Sequence, residues 1–245
     1  MTPVLRRLAL VAAAAISLCA CQKADDAAFG QRVHTYLLAH PEVLREASEK
    51  LAQNDRLAAM KASTDAISRY RAQLERDPRD FVANPGGRIT VVEFFDYRCG
   101  YCKLAAPEVV KLIEQNPDVR FVFKEFPIFG EVSDTAAKIA LTRGGKAKGL
   151  EIYKTLMSEK ALDDAALDRH LAEVGVDPAE ARKAATHPLI NRQILDTHVL
   201  AEALKIDGTP AFIIGDTMIP GADMPALKAA IAAAKGAAGP AVSKS

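Results

Sequence analysis

The stretch VVEFFDYRCGYCK (Val91–Lys103) holds two cysteines, Cys99 and Cys102, with only two residues between them. Residues 88–97, which lead into the pair, are dense in β-branched and aromatic side chains and are apolar on both faces, as in a buried central strand. Residues 99–116 have the pattern of a helix. The cysteines therefore stand where a buried strand passes into a helix. Such a pair can be a redox centre, a metal site or a structural disulfide.

The segments that follow extend this pattern. Residues 119–127 predict a second strand, and a strand, a helix and a strand in that order predict a right-handed parallel unit. Residues 131–205 show no clear strand and are predicted to form about four helices. The predicted N-caps of these helices are Ser133, Asp163 and Asp177.

The C-terminal part of the chain completes a known order of elements. GTPAFIIGDTMIPG (Gly208–Gly221) predicts a β-hairpin that turns at Gly215-Asp216, and a last helix follows. This order predicts an α/β thioredoxin fold over residues 81–237, with an inserted helical domain at about 131–205. Residues 238–245 carry too little apolar surface to fold, so we expect a disordered tail.

The composition excludes some classes of partner. The 245 residues are 49% hydrophobic and 26% charged, with a net charge of +1 and no basic block. These values are typical of a globular protein with a sizeable core. A nucleic-acid partner is not expected, because such partners require a concentrated basic surface.

The N-terminus predicts export. Residues 1–20 have two arginines before a short uncharged apolar run, which is typical of a secretory signal and too short for a membrane-spanning helix. The run ends in LCAC, which resembles a bacterial lipobox that would leave a lipidated Cys21 as the first mature residue. Because Cys19 is unusual in a lipobox, ordinary cleavage near Ala20 is the alternative. We therefore expect a periplasmic protein, either free or anchored to a membrane by Cys21.

Residues 21–80 are predicted to form a helical segment with an apolar stripe. Leu37, Leu44 and Leu51 keep a seven-residue spacing, and Met60, Ile67 and Leu74 keep it in a different phase. One interpretation is an amphipathic helix packed on its own domain. The interpretation we favour is a helical stalk over residues 29–76 that buries its stripe against other copies of the chain, giving a homo-oligomer.

The position of the cysteines predicts redox chemistry. A thiolate attacks a disulfide, and a sulfur at a helix N-terminus is stabilised as a thiolate by unpaired N–H groups and the helix dipole. Cys99 is therefore expected to be exposed, with a lowered pKa, and to act as the nucleophile. Cys102, one turn further into the helix, is expected to be shielded and to resolve the mixed disulfide. Gly100 and Tyr101 line the turn between the two cysteines and are expected to tune the redox balance of the pair.

A structural disulfide and a metal site fit the pair less well. A disulfide between Cys99 and Cys102 closes too short a loop to stabilise much of the chain. Zinc would need two more ligands, and the histidines lie far along the chain without supporting spacing. Copper(I) can be held by two thiolates, so Cys99 and Cys102 as a copper pair stays open. No cofactor is expected.

Two motifs resemble a known family. VVEFFDYRCGYCK is similar to the active-site stretch of the DsbA-type thiol-disulfide oxidoreductases. GTPAFIIG resembles the loop in which that superfamily carries a cis-proline beside the disulfide, which maps onto Pro210 with Thr209 before it. YLLAHPEVLREA (Tyr36–Ala47) resembles the helical extension of the ScsC (suppressor of copper sensitivity) group, some members of which oligomerise through it.

The resemblance implies an activity with two alternatives. DsbA itself typically has Pro-His between its cysteines and valine before the cis-proline, whereas Gly100-Tyr101 and Thr209 match the DsbC-type isomerases. This implies an isomerase or reductase acting on exported proteins with disulfides and kept reduced by a membrane electron-transfer partner of the DsbD/ScsB type. A DsbA-like dithiol oxidase is the alternative, and the ScsC resemblance also adds weight to a copper contact.

The resemblance also implies a role for Glu93. Related enzymes have an acidic residue at this position that relays protons to the resolving cysteine, and the alternative is a structural ion pair with Lys124. The three residues before the first cysteine are expected at the rim of the site, where Arg98 would also favour the thiolate. These rim residues are Asp96, Tyr97 and Arg98.

Overall fold

The computed structural model describes residues 26–237. The predicted signal at 1–20, the lipidation site Cys21 and the predicted tail at 238–245 lie outside these residues. Within the described part of the chain, no helix is long and apolar enough to cross a membrane. The chain divides into two compact units, residues 1–59 and 60–245.

The first unit is helical throughout its described part. Helix α1 covers residues 26–39, and helix α2 (Glu42–Glu75) begins after a short turn. Leu44 and Leu51, two of the residues in the predicted stripe, are more than half exposed, as are several other large apolar side chains of this unit. These other side chains are Phe29, Tyr36, Leu38 and Leu57. The predicted homo-oligomer would cover them, and it stays a prediction.

The second unit includes the C-terminal part of α2. Ile67 and Leu74 are fully buried and pack with Val92, Phe94 and Val122 of the sheet. The alternative interpretation of the stripe, a helix packed on its own domain, therefore describes this end of α2. For the part of the helix that precedes it, self-association stays a prediction.

A mixed sheet of five strands forms the centre of the second unit, in the order β1-β3-β2-β4-β5. Strands β2 and β3 are parallel and are joined by helix α3, which confirms the predicted strand–helix–strand unit. The other pairs are antiparallel, and the last pair is the predicted hairpin. The strands are β1 (Phe81–Ala83), β2 (Ile89–Phe95), β3 (Val119–Glu125), β4 (Ala211–Ile214) and β5 (Thr217–Pro220), and helix α3 is Gly100–Gln115.

The insertion contains more helices than the sequence predicted. Six short helices, rather than about four, lie between β3 and β4. Asp163 and Asp177 are N-caps as predicted, but Ser133 lies inside the first of these helices, which Gly130 caps. The helices are α4 (Glu131–Ala140), α5 (Arg143–Ala147), α6 (Gly149–Ser158), α7 (Asp164–Glu173), α8 (Pro178–Ala185) and α9 (Pro188–Ala203), and α10 (Met224–Ala237) follows β5.

The two faces of the sheet carry separate cores. One face packs against α3, α6 and α10 and includes Val91, Phe95 and Phe123. The opposite face packs against the end of α2 and against α9 and includes Val92 and Phe94. Because side chains alternate along a strand, Glu93 falls on the face with α3 and α6, which is the face where the cysteines lie.

Candidate functional site

Cys99 is the N-cap of α3. Its backbone is extended (φ −69°, ψ 120°), and its Sγ accepts the N–H of Cys102 at 3.4 Å. The strand β2 ends at Phe95, and a short turn brings Cys99 to the first unpaired N–H groups of the helix. Both thiols are free. A sulfur at this place receives the hydrogen bonds and the dipole field that stabilise a thiolate.

The surroundings lower the pKa of Cys99 to about 6. The main cause is a hydrogen bond from the side chain of Cys102, and bonds from the backbone N–H groups of Tyr101 and Cys102 add to it, while burial opposes them. At neutral pH Cys99 is therefore mainly a thiolate, the form that attacks disulfides.

The expectation that Cys99 would be exposed is wrong. Its residue surface is only 3% exposed, because the loop before β4 covers it. The Sγ lies 3.2 Å from the Thr209 carbonyl oxygen, to which it donates when it is protonated. Tyr101 and Leu104, near the start of the helix that Cys99 caps, are exposed instead.

The pKa of Cys102 is shifted in the opposite direction to that of Cys99. It is fully buried among Val109 and the other residues of the core on this face. Burial raises its pKa well above the ordinary value for a thiol, and the hydrogen bond with Cys99 raises it further. The dithiol is thus one thiolate and one thiol, with the proton held on the inner sulfur.

Thr209 and Pro210 lie in the loop that covers Cys99. The peptide bond between them is cis, and Pro210 accepts a backbone hydrogen bond from Gly221 at 2.8 Å. Strand β4 begins directly afterwards and pairs with β2. The sheet therefore holds this loop against the first cysteine, as the resemblance implied.

Glu93 is buried beneath the dithiol. It is 1% exposed, and the hydroxyl of Tyr153 donates to its Oε1 at 3.1 Å and its Oε2 at 3.2 Å. Burial raises the pKa of Glu93 to about 8, the Tyr153 bond opposes this, and negative charge on Cys99 adds to it. In turn, negative charge on Glu93 raises the pKa of Cys102. The carboxyl group is therefore coupled electrostatically to both sulfurs.

Tyr153 was not identified from the sequence. It lies on α6 of the insertion, 60 residues after Glu93, and is itself 1% exposed. A tyrosine on the buried face of an amphipathic helix looks like any core aromatic residue. Nothing in the sequence pairs it with a carboxyl group on β2.

The alternative ion pair between Glu93 and Lys124 is wrong. In the parallel register Glu93 lies opposite Phe123, and Lys124 lies opposite Phe94, so the two side chains point to opposite faces of the sheet. On its own face Lys124 is buried, donates to the carboxylate of Asp80 and forms an ion pair with it.

Two of the three expected rim residues are buried. Tyr97 is 2% exposed and its hydroxyl donates to Glu125 at 3.0 Å. Asp96 is equally buried, and its carboxylate accepts from the backbone N–H groups of Ile128 (2.7 Å) and Phe129 (3.0 Å). These contacts turn both side chains inward to hold the loop after β3. Only Arg98 is exposed, and its guanidinium donates to the Phe129 carbonyl oxygen at 2.7 Å.

Among the described residues, the cysteine pair is the candidate place for a metal ion. Within residues 26–237 there is no group of three or more His, Cys, Asp or Glu side chains arranged to hold a metal ion. Cys99 and Cys102 supply two soft sulfur ligands, which suits copper(I) rather than zinc.

Comparison with known proteins agrees with this geometry. The family model described as a DSBA-like thioredoxin domain matches residues 90–232, and that of the copper resistance protein ScsC N-terminal domain matches residues 25–58. A linker-deletion mutant of ScsC from Proteus mirabilis superposes with a TM-score of 0.65 and 28% identity, covering 82% of this chain and 90% of that chain.

Curated relatives match over shorter shares of their length. The thiol:disulfide interchange protein DsbA of Bordetella pertussis is 30% identical over 136 residues, which are 53% of this chain and 64% of that protein. The Na(+)/H(+) antiporter NhaA 3 of Salinispora tropica is 26% identical over 67% of this chain, but the match spans only 26% of the antiporter. The chain thus spans less than two thirds of either relative. With the family model covering more than half of the residues, the chain belongs to the DSBA-like thioredoxin domain family, that of the DsbA and ScsC thiol-disulfide oxidoreductases.

Proposed function

We propose that this protein is an exported thiol-disulfide oxidoreductase that isomerises or reduces disulfides in envelope proteins. The observation that carries the proposal is the difference in pKa between its two thiols. The pKa of Cys99 is lowered to about 6 at a helix N-terminus, while burial raises that of Cys102. One sulfur is therefore ready to attack, and the other keeps its proton until a mixed disulfide has formed.

The first step forms a mixed disulfide. The Cys99 thiolate attacks one sulfur of a substrate disulfide, so that a new S–S bond forms, the old one breaks and the second substrate sulfur leaves as a thiolate. In isomerisation a substrate thiolate later displaces Cys99, and no net electrons are transferred. In reduction Cys102 displaces the substrate from Cys99, and the enzyme is left with a Cys99–Cys102 disulfide. A membrane electron donor of the DsbD/ScsB type then returns two electrons.

Glu93 takes the proton that Cys102 must lose in that second step. Burial raises the pKa of Glu93 to about 8 and the charge of the Cys99 thiolate adds to this shift, so the carboxyl group is mainly protonated at neutral pH. Once Cys99 is part of a mixed disulfide, that charge is gone and the carboxylate becomes easier to form. Glu93 therefore becomes a better proton acceptor at the stage at which Cys102 has to become a thiolate.

Thr209 and Pro210 hold the substrate strand beside Cys99. The support for this role is their position, since the Thr209 carbonyl oxygen lies 3.2 Å from the Cys99 sulfur. A substrate sulfur has to take the space against this loop, because only 3% of Cys99 is exposed.

Two features support isomerase activity over oxidase activity. Gly100 and Tyr101 between the cysteines place no positive charge there, so the thiolate has no cationic partner in the dipeptide. The ScsC N-terminal match at residues 25–58 coincides with the helices whose large apolar side chains are exposed. Self-association through the exposed apolar side chains within residues 29–76 would bring several dithiols to one substrate.

Reactivation of a model substrate with scrambled disulfides tests the proposal. Purified mature protein with reduced Cys99 is expected to restore the activity of the substrate, and Cys99→Ser is expected to restore none. If the wild-type protein reoxidises a reduced substrate but does not reactivate a scrambled one, the isomerase assignment is wrong and the oxidase is the function.

Two specific observations support a dithiol oxidase and a copper(I) protein as further candidates. The match to DsbA supports the oxidase, and recovery of Cys99 and Cys102 in the reduced state from cells would contradict it.

The ScsC N-terminal match, whose description names copper resistance, supports copper(I) binding at the same pair. Tight, stoichiometric copper(I) retention that is lost in Cys99→Ser is required for that function. Lipidation of Cys21 would place any of these activities at a periplasmic membrane surface.

A further inference from the structure

Two cations flank the cysteine pair in the sequence. Arg98 comes directly before Cys99, and Lys103 comes directly after Cys102. Each donates to a backbone carbonyl oxygen, that of Phe129 for the guanidinium and that of Glu159 for the ammonium. Among residues 26–237, neither cation has a carboxylate oxygen within 4.0 Å, in contrast to Arg169 and Arg182 of the insertion.

The acidic side chains near these cations are engaged elsewhere. The carboxylate of Asp96 is 2% exposed and accepts from the backbone N–H of Arg98 at 2.6 Å, from backbone N–H groups after β3 and from the Ser133 hydroxyl at 2.8 Å, rather than from the Arg98 guanidinium. The carboxylate of Glu159 binds Arg169 at 2.7 Å and His170 at 2.9 Å. Within the described residues, the positive charge beside Cys99 is therefore balanced by no carboxylate in direct contact.

The placement of Lys103 is unfavourable in the free protein. It lies in the first turn of α3, where the helix dipole disfavours a cation. Burial lowers its pKa and the charge of Arg98 lowers it further, and the charges of Glu159, Asp96 and Cys99 offset this only in part. An anion brought to this place from outside would offset the helix dipole and the repulsion from Arg98.

Exposed apolar surface lies next to the two cations. Tyr101 is 66% exposed and Leu104 is 73% exposed, both within the first turns of α3. Leu104 also lines a shallow groove between α3 and α6, together with Pro107 and Met157. A peptide segment lying across Cys99 would meet a cation and an apolar side chain together.

We propose that Arg98 and Lys103 form a cationic rim that selects substrate segments with Asp or Glu within two residues of the reactive cysteine. This inference rests on the proposed thiol-disulfide exchange and adds a substrate class to it. The substrate carboxylate binds the rim while its neighbouring apolar side chain lies against Leu104. The rim acts on encounter and orientation, and the disulfide exchange itself proceeds through Cys99 as described above.

The test uses three peptides that differ only in the residue before a single cysteine, which is Glu, Gln or Lys. Each carries the cysteine as a mixed disulfide with thionitrobenzoate, whose release as a coloured thiolate reports the attack of Cys99 on the peptide sulfur. With the full mature chain at low ionic strength, we expect the Glu peptide to react about fivefold faster than the Gln peptide. The Lys peptide should be slowest. The ratios should approach one at about 0.5 M salt, where such charges are screened.

Variants show whether the two cations themselves cause the preference. In the double variant Arg98→Gln/Lys103→Gln we expect the Glu-to-Gln ratio to fall close to one, and Arg98→Glu should favour the Lys peptide. The control Lys183→Gln removes one positive charge from α8, which packs on α4 and α7, and should keep the wild-type ratios.

Three results would overturn the proposal. The first is equal rates for the three peptides with the wild-type protein, and the second is an unchanged ratio in the double variant. The third is a double variant that slows all peptides alike, since the cations would then serve only the Cys99 thiolate. In each case the Gln peptide still reacts, so the oxidoreductase assignment survives. Failure of every peptide to react would overturn that assignment together with the rim.

Discussion

The hydroxyl of Tyr153 donates to both carboxyl oxygens of Glu93, at 3.1 and 3.2 Å, beneath the cysteine pair. The two residues come from different layers, α6 of the helical insertion and β2 of the sheet. The insertion therefore contributes directly to the electrostatics of the dithiol. A carboxyl group buried with one neutral donor keeps its proton at neutral pH, which costs stability and is typical of a functional group.

Glu93→Gln should make the protein more stable and should slow the step in which Cys102 resolves the mixed disulfide. The folded pKa of Glu93 is raised to about 8, above the unfolded value, so the folded state binds the extra proton and stability falls as pH rises from about 4.5 to 8. Glutamine keeps an acceptor for Tyr153 and removes this penalty. We expect a gain of about 3 kcal/mol at pH 7 that disappears below pH 4.5, measured by urea unfolding across this range. A variant no more stable than the wild type at pH 7 would contradict the raised pKa.

The Cys99 thiolate should titrate at about pH 6. The rate of alkylation of Cys99 by iodoacetamide is expected to rise with pH through this value and then level off, because only the thiolate reacts. The Cys102 side chain is the main cause of the lowered pKa, so Cys102→Ala should move the midpoint to higher pH. A midpoint near that of an ordinary thiol in the wild type would remove the basis of the proposed nucleophile.

Two apolar positions on α2 should respond differently to truncation. Ile67 is fully buried in the second unit, so Ile67→Ala should cost about 2–4 kcal/mol of unfolding free energy in chemical denaturation. Leu51→Ala serves as the matched control, because this side chain is 62% exposed and should leave the unfolding free energy of the second unit unchanged. Equal losses at both positions would contradict the burial described for α2.

The exposed apolar side chains of α1 and the start of α2 should mediate self-association. Leu44→Asp/Leu51→Asp is expected to shift the mature protein to smaller species in sedimentation at micromolar concentration, since a charge in an apolar interface is strongly unfavourable. Lys61→Asp on the same helix, whose side chain is 76% exposed, controls for added negative charge. A wild-type protein that sediments as a monomer would exclude this role.

The parts of the structure that were predicted correctly are those that depend on residues close together in the sequence. The buried pattern before Cys99, the cysteine pair at a helix start and the Gly215 turn each depend on neighbouring residues, and the strand, helix and hairpin lie where they were predicted. The caps Asp163 and Asp177 were correct for the same reason.

The errors come from contacts between distant residues. The ion pair of Glu93 with Lys124 failed because the register between β2 and β3 decides the face, and a shift of one residue reverses it. Asp96 was assigned to the rim because its partners, the N–H groups of Ile128 and Phe129, lie more than 30 residues away. The burial of Cys99 depends on the Thr209 loop, 110 residues further along the chain.

The central claim is that Cys99 attacks and Cys102 resolves, and a trapping experiment tests it most directly. Reduced Cys102→Ser is mixed with a disulfide-containing protein substrate, quenched with acid and analysed by non-reducing mass spectrometry with peptide mapping. We predict a stable one-to-one adduct linked through Cys99, because the resolving thiol is missing, and no adduct with Cys99→Ser. An adduct formed by Cys99→Ser through Cys102, or none with Cys102→Ser, would contradict the claim.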